Sequence, residues 1–87
     1  MYTIKDFAVK TKRLHAYPGD NYIQIQIIYP NGNLEAIHNI TRHSGRGGFW
    51  YESDRFPWYY TTISQHKEAA LQYFENEILP EINNKLQ

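Results

Sequence analysis

The chain has 87 residues, no cysteine, and nine Lys and Arg against nine Asp and Glu, so its formal net charge is zero. This length predicts a single domain spanning residues 1–87, and the lack of cysteine excludes disulfides and thiolate metal sites. Charge neutrality argues against a protein held to nucleic acid or to an anionic membrane mainly by bulk charge. Aromatic residues make up 16% of the chain, and most are expected in the core, because a small domain needs large buried side chains.

The N-terminal segment, residues 2–16, predicts one long strand or a bent pair. The apolar residues Tyr2 and Ile4 alternate in one phase and Phe7 and Val9 in the other, so a bulge or break is expected near residues 5–6. Residues 17–21, Tyr-Pro-Gly-Asp-Asn, predict a turn. The segment has no signal-peptide pattern, and no part of the chain has the apolar run of a membrane span, so we expect a cytoplasmic protein.

A β-hairpin is predicted next. Isoleucines alternate with glutamines over residues 22–29, which is typical of a strand with one buried and one polar face. The Asn31-Gly32 pair is a strong hairpin signal, and residues 34–41 form the returning strand. Strict alternation places the even-numbered residues of that strand, including His38, on one face and Glu35 on the opposite face.

The most unusual stretch is residues 49–60, which hold seven of the fourteen aromatics and both tryptophans. The preceding segment, residues 42–48, combines three glycines with two arginines and His43, and predicts a flexible cationic loop. Two further strands are expected, at 49–52 and 58–62, because aromatic and β-branched residues suit a pleated surface.

The last element is a helix over residues 64–79. It begins at Ser64 as N-cap, or at Thr62 with Gln65 completing a capping box. A kink or restart is expected at Pro80, followed by a short terminal turn over residues 80–87. At helical spacing, one apolar side is formed by Ala70, Leu71, Phe74, Ile78 and Ile82.

Together these elements predict an α+β fold, an antiparallel four- to five-stranded β-meander with one C-terminal helix packed on one face. A single helix covers only one face of the sheet, so some of the large rings must lie on the other face. Exposed rings beside arginines are typical of protein-interface hot spots. The leading prediction is therefore a non-catalytic domain of the inhibitor or adaptor type, as phages and mobile elements also encode, that binds a protein partner. The predicted partner-binding residues are Arg42, His43, Arg46, Trp50, Trp58 and Tyr59.

The alternative is nucleic-acid binding, through the basic residues Lys10, Lys12 and Arg13 and an aromatic face on which bases stack. Over residues 22–79, three strands precede a helix with a hydroxyl cap and the sequence Lys67-Glu68-Ala69-Ala70-Leu71. This arrangement resembles the arm-type DNA-binding domain of tyrosine integrases, and the resemblance implies DNA as the partner. The chain departs from that family in its acidic helix and its neutral overall charge.

A third hypothesis is a small metal-free nuclease or hydrolase, with His38 or His43 as general base and Arg46 stabilising an anionic transition state. The spacing of the histidines is not a metal-ligand pattern, so neither a metal nor another cofactor is predicted. Open strand edges would also allow a homodimer.

Overall fold

A computed structural model describes residues 1–14 and 22–86 of the chain. Five antiparallel strands form one sheet in chain order, and a C-terminal helix packs on one face, which confirms the predicted α+β meander. The turn predicted at 17–21 lies outside the described residues. The strands are β1 (Ala8–Leu14), β2 (Tyr22–Ile28), β3 (Leu34–Gly45), β4 (Gly48–Ser53) and β5 (Tyr59–Tyr60).

The predicted break near residues 5–6 is confirmed, and it is a turn of 3-10 helix, Ile4–Asp6. Residues 1–3, before this turn, do not form a strand. The Thr3 amide donates to the Asp6 carboxylate at 2.9 Å, and the Asp6 amide donates to the Thr3 carbonyl at 3.0 Å. This turn directs Phe7, which is 7% exposed, into the core.

The β2–β3 hairpin is confirmed, with Gly32 at a φ of +89° in the turn. The prediction for the faces of β3 is wrong for its first residues. His38 pairs with Ile25 and Ala36 with Gln26, so Ile37 is an extra residue in a β-bulge. The bulge reverses the alternation, which leaves Ala36 exposed on the side away from the helix and puts Glu35 on the same side as His38.

The helical region is longer than predicted and is divided into three parts. Helix α1 (Ile63–Tyr73) leads into a π-helical segment, Phe74–Ile78, and then into helix α2 (Leu79–Lys85). Of the two predicted starts, the capping box is correct: the Gln65 amide donates to the Thr62 hydroxyl, and the Gln65 carboxamide oxygen accepts from the Thr62 amide.

The restart predicted at Pro80 is present, but the short terminal turn is wrong, because α2 continues to Lys85. A proline inside an α-helix lacks the amide hydrogen and clashes with the carbonyl four residues earlier. Here the Leu79 amide donates to the Phe74 carbonyl, five residues back, and this wider spacing lets Pro80 start a new helix. The extra residue also turns Leu79 into the core.

The core lies between the sheet and the helices. Helix α1 contacts β1, β2 and β5. We call this side of the sheet the covered face and the opposite side the open face. None of the described helices is long and apolar enough to cross a lipid bilayer. The buried apolar side chains are Phe7, Ile23, Ile25, Ile27, Ile37, Ile40, Ala70, Phe74 and Leu79.

Candidate functional site

The predicted flexible loop at 42–48 is instead the end of a regular hairpin, so this prediction is wrong. Strand β3 continues to Gly45 and pairs with Gly48 at the start of β4, which leaves Arg46 and Gly47 as the turn. The turn needs glycine, because φ is +95° at Gly47 and +120° at Gly48. Glycine-rich composition alone indicated flexibility, whereas pairing between the two strands fixes these residues.

Because the segment is a strand pair, its side chains alternate between the two faces. His43 pairs with Trp50 and both point to the open face, whereas Ser44 pairs with Phe49 on the other side. Every residue from Ser44 to Phe49 is exposed, and Phe49 itself is 54% exposed although it lies on the same side as the core residues. The tip of the hairpin therefore stands clear of the helix and carries aromatic rings on both sides.

Three rings lie in a row on the open face: His43, Trp50 and Tyr59, which we call the aromatic patch. The His43 and Trp50 rings are stacked, with centroids 5.7 Å apart, and the Trp50 and Tyr59 centroids are 6.2 Å apart. The indole of Trp50 extends over Gly45, where a Cβ would lie 3.0 Å from two ring atoms. Tyr59 is 58% exposed. Tyr59 is thus exposed and Trp50 half-buried, and both lie on the face that the helix leaves uncovered.

The hairpin tip carries positive charge in its turn and on the side opposite the aromatic patch. Arg46 is in the turn, and the Arg42 guanidinium lies 4.8 Å from the centroid of the Phe49 ring. The sequence has no acidic residue between positions 41 and 51. Glu52 is the first acidic side chain, and its carboxylate lies 3.1 Å from His43 Nε2.

A shallow groove of about 280 Å³ lies between the hairpin tip and the short strand β5. Its lining residues are Arg46, Gly47, Gly48, Phe49, Trp50, Tyr59 and Thr61. The groove is thus lined by one ring from each side of the hairpin, Phe49 and Trp50, together with Tyr59.

The structure separates Trp58 from the aromatic patch, although both tryptophans were predicted at one interface. Its ring stacks on Phe56 at a centroid distance of 4.1 Å and contacts Tyr73 of α1 at 6.3 Å. The Arg55 guanidinium lies against Phe56 and Tyr73, at 4.9 and 5.5 Å from the ring centroids. Trp58 is therefore part of a half-buried cluster on the covered side.

The residues predicted to contact nucleic acid are also divided. Lys10 and Lys12 lie on the open face of β1, whereas Arg13 is in the opposite phase of the strand. Strands β1 and β4 are separated by two intervening strands, about 14 Å at the usual strand spacing. Lys10 and Lys12 thus share a face with Trp50 but are not adjacent to it.

The two histidines considered as a catalytic base lie on opposite faces. His38 is 4% exposed on the covered face, and its Nδ1 lies 3.0 Å from the Ser53 hydroxyl. That hydroxyl already accepts the amides of Arg55 and Phe56, so its hydrogen is donated to His38 Nδ1. Burial and the nearby His66 lower the pKa of His38 to about 4. Of the pair, His43 is the histidine that a solvent-borne substrate would reach.

His66 was not singled out from the sequence, yet it is completely buried. Its Nε2 donates to the Tyr51 carbonyl at 2.9 Å, and its ring centroid lies 5.3 Å from that of His38. Burial lowers the pKa of His66 as well. The sequence did contain a signal for this burial. His66 lies four residues before Ala70 and eight before Phe74, which places it on the apolar side of the helix.

No group of three or more potential metal ligands occurs within residues 1–14 and 22–86. Comparison with protein-family models, with curated proteins and with solved structures gave no match.

Proposed function

We propose that the protein is a non-catalytic binding domain, of the inhibitor or adaptor type, that docks the tip of the β3–β4 hairpin and Tyr59 onto a partner protein. The observation that carries this proposal is the position of the half-buried Trp50 ring beside Tyr59, which is 58% exposed, on a face that no helix covers. Tryptophan, tyrosine and arginine are the residues that most often dominate binding energy at protein interfaces.

The hairpin suits this role because its aromatic side chains are held in place before binding. The Trp50 ring is stacked on His43 and rests over Gly45, so it would lose little conformational freedom in a complex. A tight turn holds the strands together, and the exposed tip can enter a cleft with Phe49 on one side and Trp50 on the other.

The charge of the tip indicates the chemistry of the partner. Arg46 is in the turn, and Arg42 lies against Phe49 on the side opposite Trp50. Glu52 is paired with His43. A complementary surface would have an apolar pocket for Trp50 and acidic groups at its rim. Acidic rim groups would mainly raise the association rate, and the buried ring would supply most of the affinity.

The test is affinity capture from cells that naturally produce the protein, followed by titration of the purified partner. We expect wild type to retain a protein that the variant with Arg46→Ala and Trp50→Ala loses. Each single substitution should weaken binding by about 2 kcal/mol, roughly 30-fold. The control is Leu34→Ala, because Leu34 is 49% exposed at the other end of the open face. Equal retention by wild type and the double variant would refute the proposal.

Nucleic-acid binding is the alternative outcome of the same experiment. Phosphate contacts through Lys10 and Lys12 would make affinity fall with salt by about 0.7–0.9 log units per contact. Retention of oligonucleotides at low salt, lost on replacing both lysines by alanine, would favour this alternative. Turnover of a phosphodiester or ester substrate that disappears in His43→Ala would instead favour the catalytic hypothesis.

A further inference from the structure

We propose that the free edge of β1 is a second binding site, which takes an extended acidic segment of a partner protein as an additional strand of the sheet. Strand β1 is the first strand of the sheet order and pairs along its whole length, Ala8–Leu14, with β2 on one side. On its other side no strand lies beside it within the described residues. This proposal does not depend on the hairpin site, which lies at the opposite side of the sheet.

The edge of β1 is bordered by a groove rather than by a flat surface. The groove has a volume of about 220 Å³ and runs between Val9 of β1 and Leu71 of α1, with Ser64, Lys67 and Glu68 at its rim. Val9 and Leu71 are both partly buried against the core and provide an apolar floor. An exposed strand edge is where extended peptides add as a further strand, and a groove beside the edge can take alternate side chains of the peptide.

Charge selects the occupant. Strand β1 has two lysines on its open face, Lys10 and Lys12, and no acidic residue. If two copies paired antiparallel about Thr11, Lys10 of each copy would lie opposite Lys12 of the other, and like charges directly opposite destabilise a strand pair. A second copy of the chain is therefore disfavoured, whereas an acidic strand is attracted.

The pleat then defines the ligand sequence. Side chains of an added strand alternate between the two faces, as those of β1 do. On the covered side they would meet the apolar groove beside Val9, and on the open side they would meet Lys10 and Lys12. The segment that fits alternates apolar with acidic residues.

The experiment uses a fluorescein-labelled peptide of alternating valine and glutamate, equal in length to β1, with a valine and lysine peptide as the control. Fluorescence anisotropy should detect binding of the valine and glutamate peptide and no binding of the valine and lysine peptide. Hydrogen exchange of β1 amides should slow on binding, because only strand addition satisfies the edge amides. Amide chemical shifts should change in β1 and around residues 64–71, and not at the hairpin tip.

Reversing the edge charge tests the selection directly. The variant with Lys10→Glu and Lys12→Glu should bind the acidic peptide at least about tenfold more weakly and should now bind the basic peptide. Lys85→Glu, at the exposed end of α2, should change neither affinity. Ser64→Tyr should fill the groove and weaken binding, and circular dichroism should show the wild-type fold.

Three peptide results would overturn the proposal: no binding of the acidic peptide at millimolar concentration, equal binding by the charge-reversed variant, or binding without slower exchange in β1. Binding of a DNA oligonucleotide at these lysines without exchange protection would assign them to phosphate contacts and would also reject strand addition. The three peptide results do not bear on the hairpin site, which is tested with Arg46 and Trp50. Oligonucleotide binding at these lysines would in addition favour the nucleic-acid alternative to that site.

Discussion

The indole of Trp50 occupies the space where Gly45 would carry a side chain, with two ring atoms 3.0 Å from the position of a Cβ. Gly45 is not at a positive φ, so its backbone accepts alanine. The Gly45→Ala substitution should therefore push the indole off its present position and leave the hairpin paired. We expect a shifted Trp50 indole signal in NMR spectra and weaker partner binding, with little change in the free energy of unfolding.

Gly47→Ala is the matched control for that experiment and should behave in the opposite way. A Cβ at Gly47 meets nothing within 4 Å, but its φ of +95° strains an alanine. We expect a loss of about 1 kcal/mol in stability and no movement of the Trp50 indole signal. If the Gly45→Ala spectrum retained the wild-type indole signal, Trp50 would not be held over Gly45.

Removing the Trp50 side chain should cost little stability. The ring lies on the open face and contacts His43 and Tyr59 rather than the core. We expect Trp50→Ala to lower the free energy of unfolding by about 1 kcal/mol or less in urea titrations. Phe74→Ala, at a completely buried ring, should cost about 3–5 kcal/mol. If the two losses were equal, Trp50 would be a core residue and the hairpin site would lose its anchor.

The elements that were predicted correctly from the sequence are formed by residues that lie close together along the chain. The Asn31-Gly32 turn and the Thr62–Gln65 capping box need only local backbone chemistry, and both are present. The prediction that one helix would leave some large rings uncovered also needed only the order of the elements, and Trp50 and Tyr59 do lie on the open face.

The features that the sequence did not predict each depend on distant contacts. The bulge at Ile37 adds one residue to β3 because Ile37 and His38 are both buried there, and alternation alone cannot reveal an added residue. The π-helical segment similarly depends on how Phe74 and Leu79 both enter the core. Trp58 was grouped with Trp50 by sequence proximity, but contact with the helix places it elsewhere.

Arg55 should stabilise the fold by joining the β3 bulge to α1. Its guanidinium donates to the Ile37 carbonyl at 3.0 Å and to the Tyr73 hydroxyl at 3.2 Å, and it lies against the Phe56 ring. We expect Arg55→Ala to reduce the free energy of unfolding by about 1–2 kcal/mol, since the bulge carbonyl loses its partner.

Arg55→Lys should recover only part of that loss, because lysine lacks the planar fork that reaches both acceptors. Arg46→Ala serves as the control, since Arg46 is exposed in the hairpin turn and its removal should leave the unfolding midpoint unchanged. A wild-type midpoint for Arg55→Ala would mean that the bulge holds without its arginine.

Acid should destabilise the protein through two buried histidines, His38 and His66. Burial lowers both pKa values below the ordinary value of 6.5, to about 4 for His38, so the folded chain binds fewer protons than the unfolded chain between these limits. The free energy of unfolding therefore falls as the pH drops from about 6.5 towards 4. Below the folded pKa of His38, protonation of this residue causes no further loss. At roughly 1.4 kcal/mol per pKa unit, the loss from His38 is on the order of 3 kcal/mol. Urea titrations across this pH range should show it, and His38→Asn, which keeps an acceptor for Ser53, should flatten the slope. An equally steep slope in His38→Asn would mean that other groups cause the acid sensitivity.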